Sequence, residues 1–126
     1  MHSEVHQTIE TTRDYRRDPS WQRAMDIMVA LHSATSEMGQ RDFDELGKPL
    51  WEANCELVRE LGAAHEVTCS EERGRCYDRA RAACARLHSQ LLLCRQLRII
   101  DIEQEHLRQI ERIRRALASS NHTLST

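Results

Sequence analysis

Apolar residues recur every three or four positions in four separate stretches of this 126-residue chain. That spacing places them on one face of a helix, so it predicts four amphipathic α-helices. Only four glycines and two prolines are present, and aromatics make up 4% of the chain, so a β-sandwich or barrel is excluded. The predicted stripes are Trp21, Ala24, Met25, Met28, Leu31, His32 and Thr35; Leu50, Ala53, Asn54, Leu57, Leu61, Ala64 and His65; Cys76, Ala80, Cys84, Leu87, Leu91 and Cys94; and Ile102, His106, Ile110, Ile113 and Leu117.

Capping signals predict where these helices begin. Asp18 followed by Pro19 is typical of a helix start, and Gly39 supplies a stop after Met38. Residues 39–49 then form a link, with Pro49 in the first turn of the second helix. The third and fourth helices open at two capping boxes, Thr68-x-x-Glu71 and Asp101 with Gln104.

Short links between four helices predict an antiparallel up-down-up-down four-helix bundle. The bundle spans residues 18–118. Residues 1–17 are polar and are predicted to form a flexible N-terminal arm, and residues 119–126 a flexible C-terminal tail.

Composition and net charge limit which partners and which cellular compartment we expect. The net charge of −2 gives no general case for binding nucleic acid or a membrane surface. No apolar run approaches the roughly 18 residues of a membrane span, and the first ten residues lack a signal-peptide core. An odd number of cysteines, five, without an export signal predicts free thiols in a cytoplasmic protein.

The end of the third helix is the first candidate interaction surface. Leu91-Leu92-Leu93-Cys94 with Leu97 is apolar around most of the helix circumference. One helix of a small bundle rarely covers that much apolar surface, so Leu92, Leu93 and Leu97 are candidates for a subunit interface. A helix end fully covered within the chain is the alternative.

Charge is divided unevenly between the second and third helices. Residues 42–66 carry seven acids and two bases, a net −5, and residues 73–98 carry seven arginines and one aspartate, a net +6. Pairing of these helices within the chain is the favoured interpretation. Arg75, Arg79 and Arg86 share an outward stripe, and Arg75 and Arg79 are candidates for the oligomer interface. All three are candidates for contacts to a nucleic-acid backbone.

The sequence contains only incomplete metal-binding motifs and no recognisable catalytic motif. Glu103-x-x-His106 is the single Glu-x-x-His motif, which excludes a ferritin-like di-iron centre. A zinc-stabilised domain remains an alternative through two pairs with a spacing of four, His65 with Cys69 and Cys84 with His88. His32, His65 and His106 are predicted to be core histidines. We find no phosphate loop or nucleophile motif, so we expect neither catalysis nor a cofactor.

The order of several loose motifs resembles one known family over roughly residues 19–118. It is the four-helix-bundle family of ribosomal-RNA intervening-sequence proteins, which includes the accessory variability determinants of diversity-generating retroelements. The resemblance implies a small cytosolic bundle without enzyme activity that assembles into a barrel-like homopentamer. Residues 60–64 and Arg86 depart from the family pattern. The motifs are Trp21-Gln22-x-Ala24-Met25-Asp26, Leu46-Gly47, Ala53, Ser70-Glu71-Glu72, Tyr77-x-x-Ala80, Ser89-Gln90-Leu91-Leu92-Leu93 and Ile110-Glu111-x-Ile113-x-Arg115-x-Leu117.

The leading hypothesis is therefore a non-enzymatic cytosolic bundle that forms a homo-oligomer, with a pentamer favoured, and acts as a scaffold or binding module. The first alternative is an accessory protein for nucleic acid or a reverse transcriptase, using the basic stripe of the third helix. The second is the zinc-stabilised domain.

Overall fold

A computed structural model describes residues 14–125 of the chain, with side chains described for residues 14–119. The predicted all-α class is confirmed, since the described residues form four long helices and no strand. The helices are α1 (Pro19–Thr35), α2 (Lys48–Glu66), α3 (Ser70–Gln96) and α4 (Gln104–Ser125). Residues 1–13 of the predicted arm lie outside the described residues. Its last part, Asp14 with the 3-10 turn Tyr15–Arg17, packs on the bundle through a Tyr15–Trp21 ring contact at 5.3 Å.

The predicted start of α1 is confirmed. The Asp18 carboxylate accepts a hydrogen bond from the Ser20 N–H at 3.0 Å, and Pro19 occupies the first turn. The helix ends at Thr35, three residues before the predicted end. Its buried stripe is Ser20, Ala24, Ile27, Leu31 and Thr35.

Two positions of the predicted buried stripe of α1, Met25 and His32, are exposed. Met25 is 38% exposed, and Ile27 is fully buried instead. Neighbouring residues of a helix differ by about 100° in direction, so a stripe centred on Ala24 and Leu31 turns Met25 outward.

The predicted link before α2 is helical rather than irregular. An α-helical turn, Gln40–Asp42, continues through a π-helical turn, Phe43–Gly47, directly into α2. Pro49 explains the wider turn, because its ring lacks an N–H and crowds the carbonyl four residues before it. The Lys48 N–H instead bonds the Phe43 carbonyl, five residues back. Gly47 permits close packing there, since an added Cβ would lie 2.9 Å from Met38 Sδ and the methionine side chain would have to move.

The predicted capping box at Thr68 is wrong. Cys69 is the residue before α3, and it makes no side-chain capping bond. Arg73 stabilises the turn instead, because its guanidinium donates to the carbonyls of Ala64, at 3.2 Å, and Val67, at 3.0 Å. A guanidinium at these carbonyls satisfies acceptors that the end of α2 leaves open.

The connection from α3 to α4 turns at a left-handed residue. Arg98 has φ of 60°, and the Ile99 N–H bonds the Cys94 carbonyl at 3.1 Å. This is a Schellman motif with arginine where glycine is usual. The fourth helix begins at Gln104, three residues after the predicted cap Asp101, and continues to Ser125.

The four helices contact one another in a ring, α1 with α2, α2 with α3, α3 with α4, and α4 with α1. The shared core is almost entirely aliphatic. Asn54 is its fully buried polar residue, and its amide donates to the Ala24 carbonyl at 3.2 Å. No helix in the described part of the chain is both long and apolar enough to cross a membrane. The largest fully buried side chains are Ile27, Leu31, Leu50, Leu57, Leu61, Leu87, Leu91, Ile110, Ile113 and Leu117, with Asn54 and Cys76.

Candidate interaction surfaces

The last turn of α3 and the residue that follows the helix expose the three leucines predicted as a subunit interface. Leu92 is 43% exposed, Leu93 45% and Leu97 52%, while Leu91, just before them, and Cys94, just after Leu93, are fully buried. We call Leu92, Leu93 and Leu97 the leucine edge. The alternative of a fully covered helix end is wrong for the described chain. Half-exposed leucines clustered at one end of a helix are typical of a contact surface.

The exposed face of α3 leading to the leucine edge has small, uncharged side chains. Ala82, Ala85 and Ser89 are all exposed, and they precede Leu92 and Leu93 along the same side of the helix. We call these five residues the α3 strip. Small side chains permit the backbone of another helix to approach closely.

The basic stripe on α3 is largely paired within the chain. Arg79 Nε lies 2.8 Å from Glu60 Oε2, and Arg86 forms an ion pair with Glu56. The predicted pairing of the acidic and basic helices is thus confirmed at two positions. Arg75 is exposed, and no ion pair joins it to any described residue. Two of the three arginines proposed for nucleic acid therefore already have carboxylate partners.

The first helix has an exposed face that the sequence analysis missed. Val29 is 69% exposed and Met25 38%, and His32 and Ser33 are also exposed beside them. We call these four residues the α1 strip. The sequence did contain a signal, because no charged residue occurs between Asp26 and Glu37.

Shallow clefts adjoin both strips. One, of about 490 Å³, lies between α2 and α3 and is lined by Pro49, Glu52, Ala53, Arg86, Ser89 and Gln90. Another, of about 420 Å³, lies between α1 and α2 around His32, Trp51 and Phe43. The Trp51 indole donates to Thr35 Oγ1 at 2.9 Å, which fixes the ring at this second cleft.

The three predicted core histidines occupy different environments. His32 is exposed, so its prediction is wrong, and its ring meets Trp51 edge-on at 5.6 Å. His65 is half-buried, and its Nε2 lies 3.1 Å from Asp18 Oδ2, which joins the end of α2 to the cap of α1. His106 is half-buried, and its Nδ1 is buried without a described partner.

The cysteines do not form a reactive or metal-binding cluster within the described residues. All five are free thiols. Burial raises the pKa of Cys84 to about 11, and it also raises the pKa of Cys76 and Cys94. High thiol pKa values disfavour the nucleophilic thiolate.

The two predicted zinc pairs do not assemble. His65 bonds Asp18, and Cys84 points at the Ile110 carbonyl, with Sγ 3.9 Å from the oxygen. Among residues 14–119, no three His, Cys, Asp or Glu side chains lie close enough together to hold a metal ion. The zinc alternative therefore has no ligand set in this part of the chain.

Known family models and curated sequences offer no match from which a role for these surfaces could be inferred. No protein-family model matches this chain, and no curated protein sequence matches it.

Proposed function

We propose that this protein is a non-enzymatic helical bundle that associates with itself into a homo-oligomer and serves as a scaffold or binding module. The leucine edge is the observation that carries the proposal. Three large aliphatic side chains, each 43–52% exposed, lie at one helix end. Covering apolar surface contributes roughly 25 cal/mol per Å² removed from water, so a second copy that covers this edge is stabilised by contact. The favoured number of five copies rests on the family resemblance alone.

The up-down-up-down arrangement of the bundle is part of this proposal. Bonded partners along α1 and α2 run in opposite directions, and so do those along α2 and α3. Such reversals support antiparallel neighbours, with the leucine edge at the same end of the bundle as the start of α2. The α1–α2 partners are Asp18 with His65, Ala24 with Asn54, and Thr35 with Trp51; the α2–α3 partners are Glu60 with Arg79, Glu56 with Arg86, and Leu46 with Gln90.

The thiols support two further parts of the proposal, a cytosolic location and the absence of a catalytic cysteine. Cys69 is exposed and unpaired, which suits a reducing compartment such as the cytosol. The raised pKa of buried Cys84 keeps that thiol protonated at neutral pH, which supports a structural role for it.

The experiment is the solution mass of the full chain by light scattering on a sizing column. A pentamer has a mass of about 74 kDa, five times 14.7 kDa. The variant Leu93→Arg places a charge on the leucine edge, and we expect it to lower the mass to that of single chains. Ala118→Arg is the matched control, because it adds the same charge at an exposed residue of α4.

Two results would contradict the proposal. One is a wild-type mass of 14.7 kDa at every concentration. The other is an oligomer that Leu93→Arg leaves unchanged while circular dichroism shows the helices intact. Retention of RNA at low salt that weakens steeply as salt rises would favour the nucleic-acid alternative instead.

A further inference from the structure

Two uncharged strips face outward on two helices that are not neighbours in the bundle. The substantial helix contacts join α1 to α2 and α4, and α3 to the same two helices. The α1 strip and the α3 strip therefore lie on opposite sides of the molecule. A single contact between two copies that used the same strip on each would cover one side and leave the other exposed.

We propose that the α3 strip of one copy docks on the α1 strip of the next, so that every copy uses both of its strips. This inference rests on the proposed self-association and specifies its geometry. The contact is heterologous, because different surfaces meet, and heterologous contacts close into rings when the rotation between copies permits. Two same-to-same contacts on opposite sides would instead extend an open chain of copies.

The shapes of the two strips suit each other. Val29 and Met25 project from α1 with exposed fractions of 69% and 38%. Ala82, Ala85 and Ser89 leave a shallow surface on α3. Large side chains on one helix that fit over small side chains on another allow the axes to approach to roughly 8–10 Å.

The charges of the strips also suit a second copy as the occupant. None of the nine residues in the two strips is Asp, Glu, Lys or Arg. Burying them against each other therefore leaves no carboxylate, ammonium or guanidinium of the two strips unpaired in the contact. The nearest arginine on α3, Arg86, is already paired with Glu56 of its own chain.

Mixing two variants tests this arrangement. Val29→Arg disables the α1 strip, and Leu93→Arg disables the α3 strip. We expect each variant alone to be monomeric, since each copy needs both strips to extend the ring. Mixed together, they retain one working contact, the α3 strip of the Val29→Arg chain on the α1 strip of the Leu93→Arg chain. The expected product is a 1:1 complex of about 29 kDa, twice 14.7 kDa, which cannot grow further.

The possible outcomes separate this inference from the proposed function. A wild-type monomer overturns the proposed function itself. If Leu93→Arg disrupts the oligomer and Val29→Arg does not, the proposed function stands and this inference fails. A dimer formed by Val29→Arg alone indicates α3-to-α3 contact and also overturns the inference.

A failure of the two variants to pair is equally decisive. Both must keep their helices by circular dichroism, which their exposed positions favour. Absence of a 1:1 complex by sedimentation at about 1 mM of each, where even a contact of about −4 kcal/mol is populated, overturns the inference. Glu66→Arg, an exposed substitution at the end of α2 that lines neither cleft, serves as the control and is expected to keep the wild-type mass.

Discussion

The first and second helices have similar inner faces and very different outer ones. All four exposed residues of α2, Lys48, Glu52, Arg59 and Glu66, are charged. Of the seven exposed residues of α1, Asp26 alone is charged; the others are Pro19, Gln22, Met25, Val29, His32 and Ser33. Folding constrains the inner stripe of an amphipathic helix far more than its outer face. We therefore relate the uncharged outer face of α1 to the proposed docking of another copy, whereas the outer face of α2 is typical of contact with water.

The largest expected effect tests whether the two inner faces are equivalent. Leu31 on α1 and Leu57 on α2 are both fully buried in the shared core. Leu31→Ala and Leu57→Ala are each expected to lower the free energy of unfolding by about 2–5 kcal/mol, because each leaves a cavity that its neighbours fill incompletely. Denaturant unfolding followed by circular dichroism measures both. A loss below about 1 kcal/mol at either leucine would show that the core is not shared as described.

The next largest effect is the pH dependence of stability that the buried thiol of Cys84 causes. Cys84 is fully buried, and burial raises its pKa to about 11 from 9.0. The folded chain thus keeps a proton that the unfolded chain releases above pH 9, so the thiol's contribution to stability is complete below pH 9. It is lost as pH rises towards 11, by about 3 kcal/mol in total.

Unfolding free energies between pH 8 and 11 measure this loss. Other groups also ionise in that range, so Cys84→Ala is the comparison, and its stability is expected to fall less steeply with pH than that of the wild type. Equal slopes for wild type and Cys84→Ala would contradict the prediction.

A smaller loss of stability is expected from removing the N-terminal cap that α1 has and α2 lacks. Asp18 caps α1 and also bonds His65 near the end of α2, whereas α2 has no side-chain cap. Asp18→Ala is expected to destabilise the protein by about 1–2 kcal/mol, since it removes the cap and one partner of a half-buried hydrogen bond. Asp18→Asn keeps a capping oxygen and is expected to cost less. Thermal melting of the two variants measures the difference, and equal losses would indicate that the cap contributes little.

The sequence predicted the four helices well because each depends on a local repeat of apolar residues and, for α1, on a local cap. It misplaced Met25 because a stripe read as seven positions is wider than the face that the neighbouring helices actually cover. The sequence predicts a link where the structure has the π-helical turn Phe43–Gly47. Gly47 and Pro49 are ordinary loop signals as long as the packing against Met38 is unknown.

Candidate surfaces were predictable to the extent that they depend on a single helix. Three exposed leucines could be inferred from α3 alone, because no helix can bury its whole circumference in a small bundle. The pairing of Arg79 and Arg86 with α2 carboxylates was inferred from net charge, but the choice of partners depends on the register between helices. The α1 strip was missed because an exposed valine is unremarkable until its neighbours are also known to be exposed and uncharged.

The last prediction compares one exposed substitution on α1 with one on α2, both of which should change stability very little. Val29→Lys on α1 and Glu66→Ala on α2 both change exposed residues, and each is expected to alter the free energy of unfolding of the single chain by less than about 0.5 kcal/mol. Their effects on assembly are expected to differ. Val29→Lys introduces a charge that docking would have to bury, so it should reduce the solution mass. Glu66→Ala should leave the mass unchanged, because this end of α2 adjoins neither strip. If the two variants give the same mass, the uncharged face of α1 has no role in association, and its composition must be explained by something other than contact between copies.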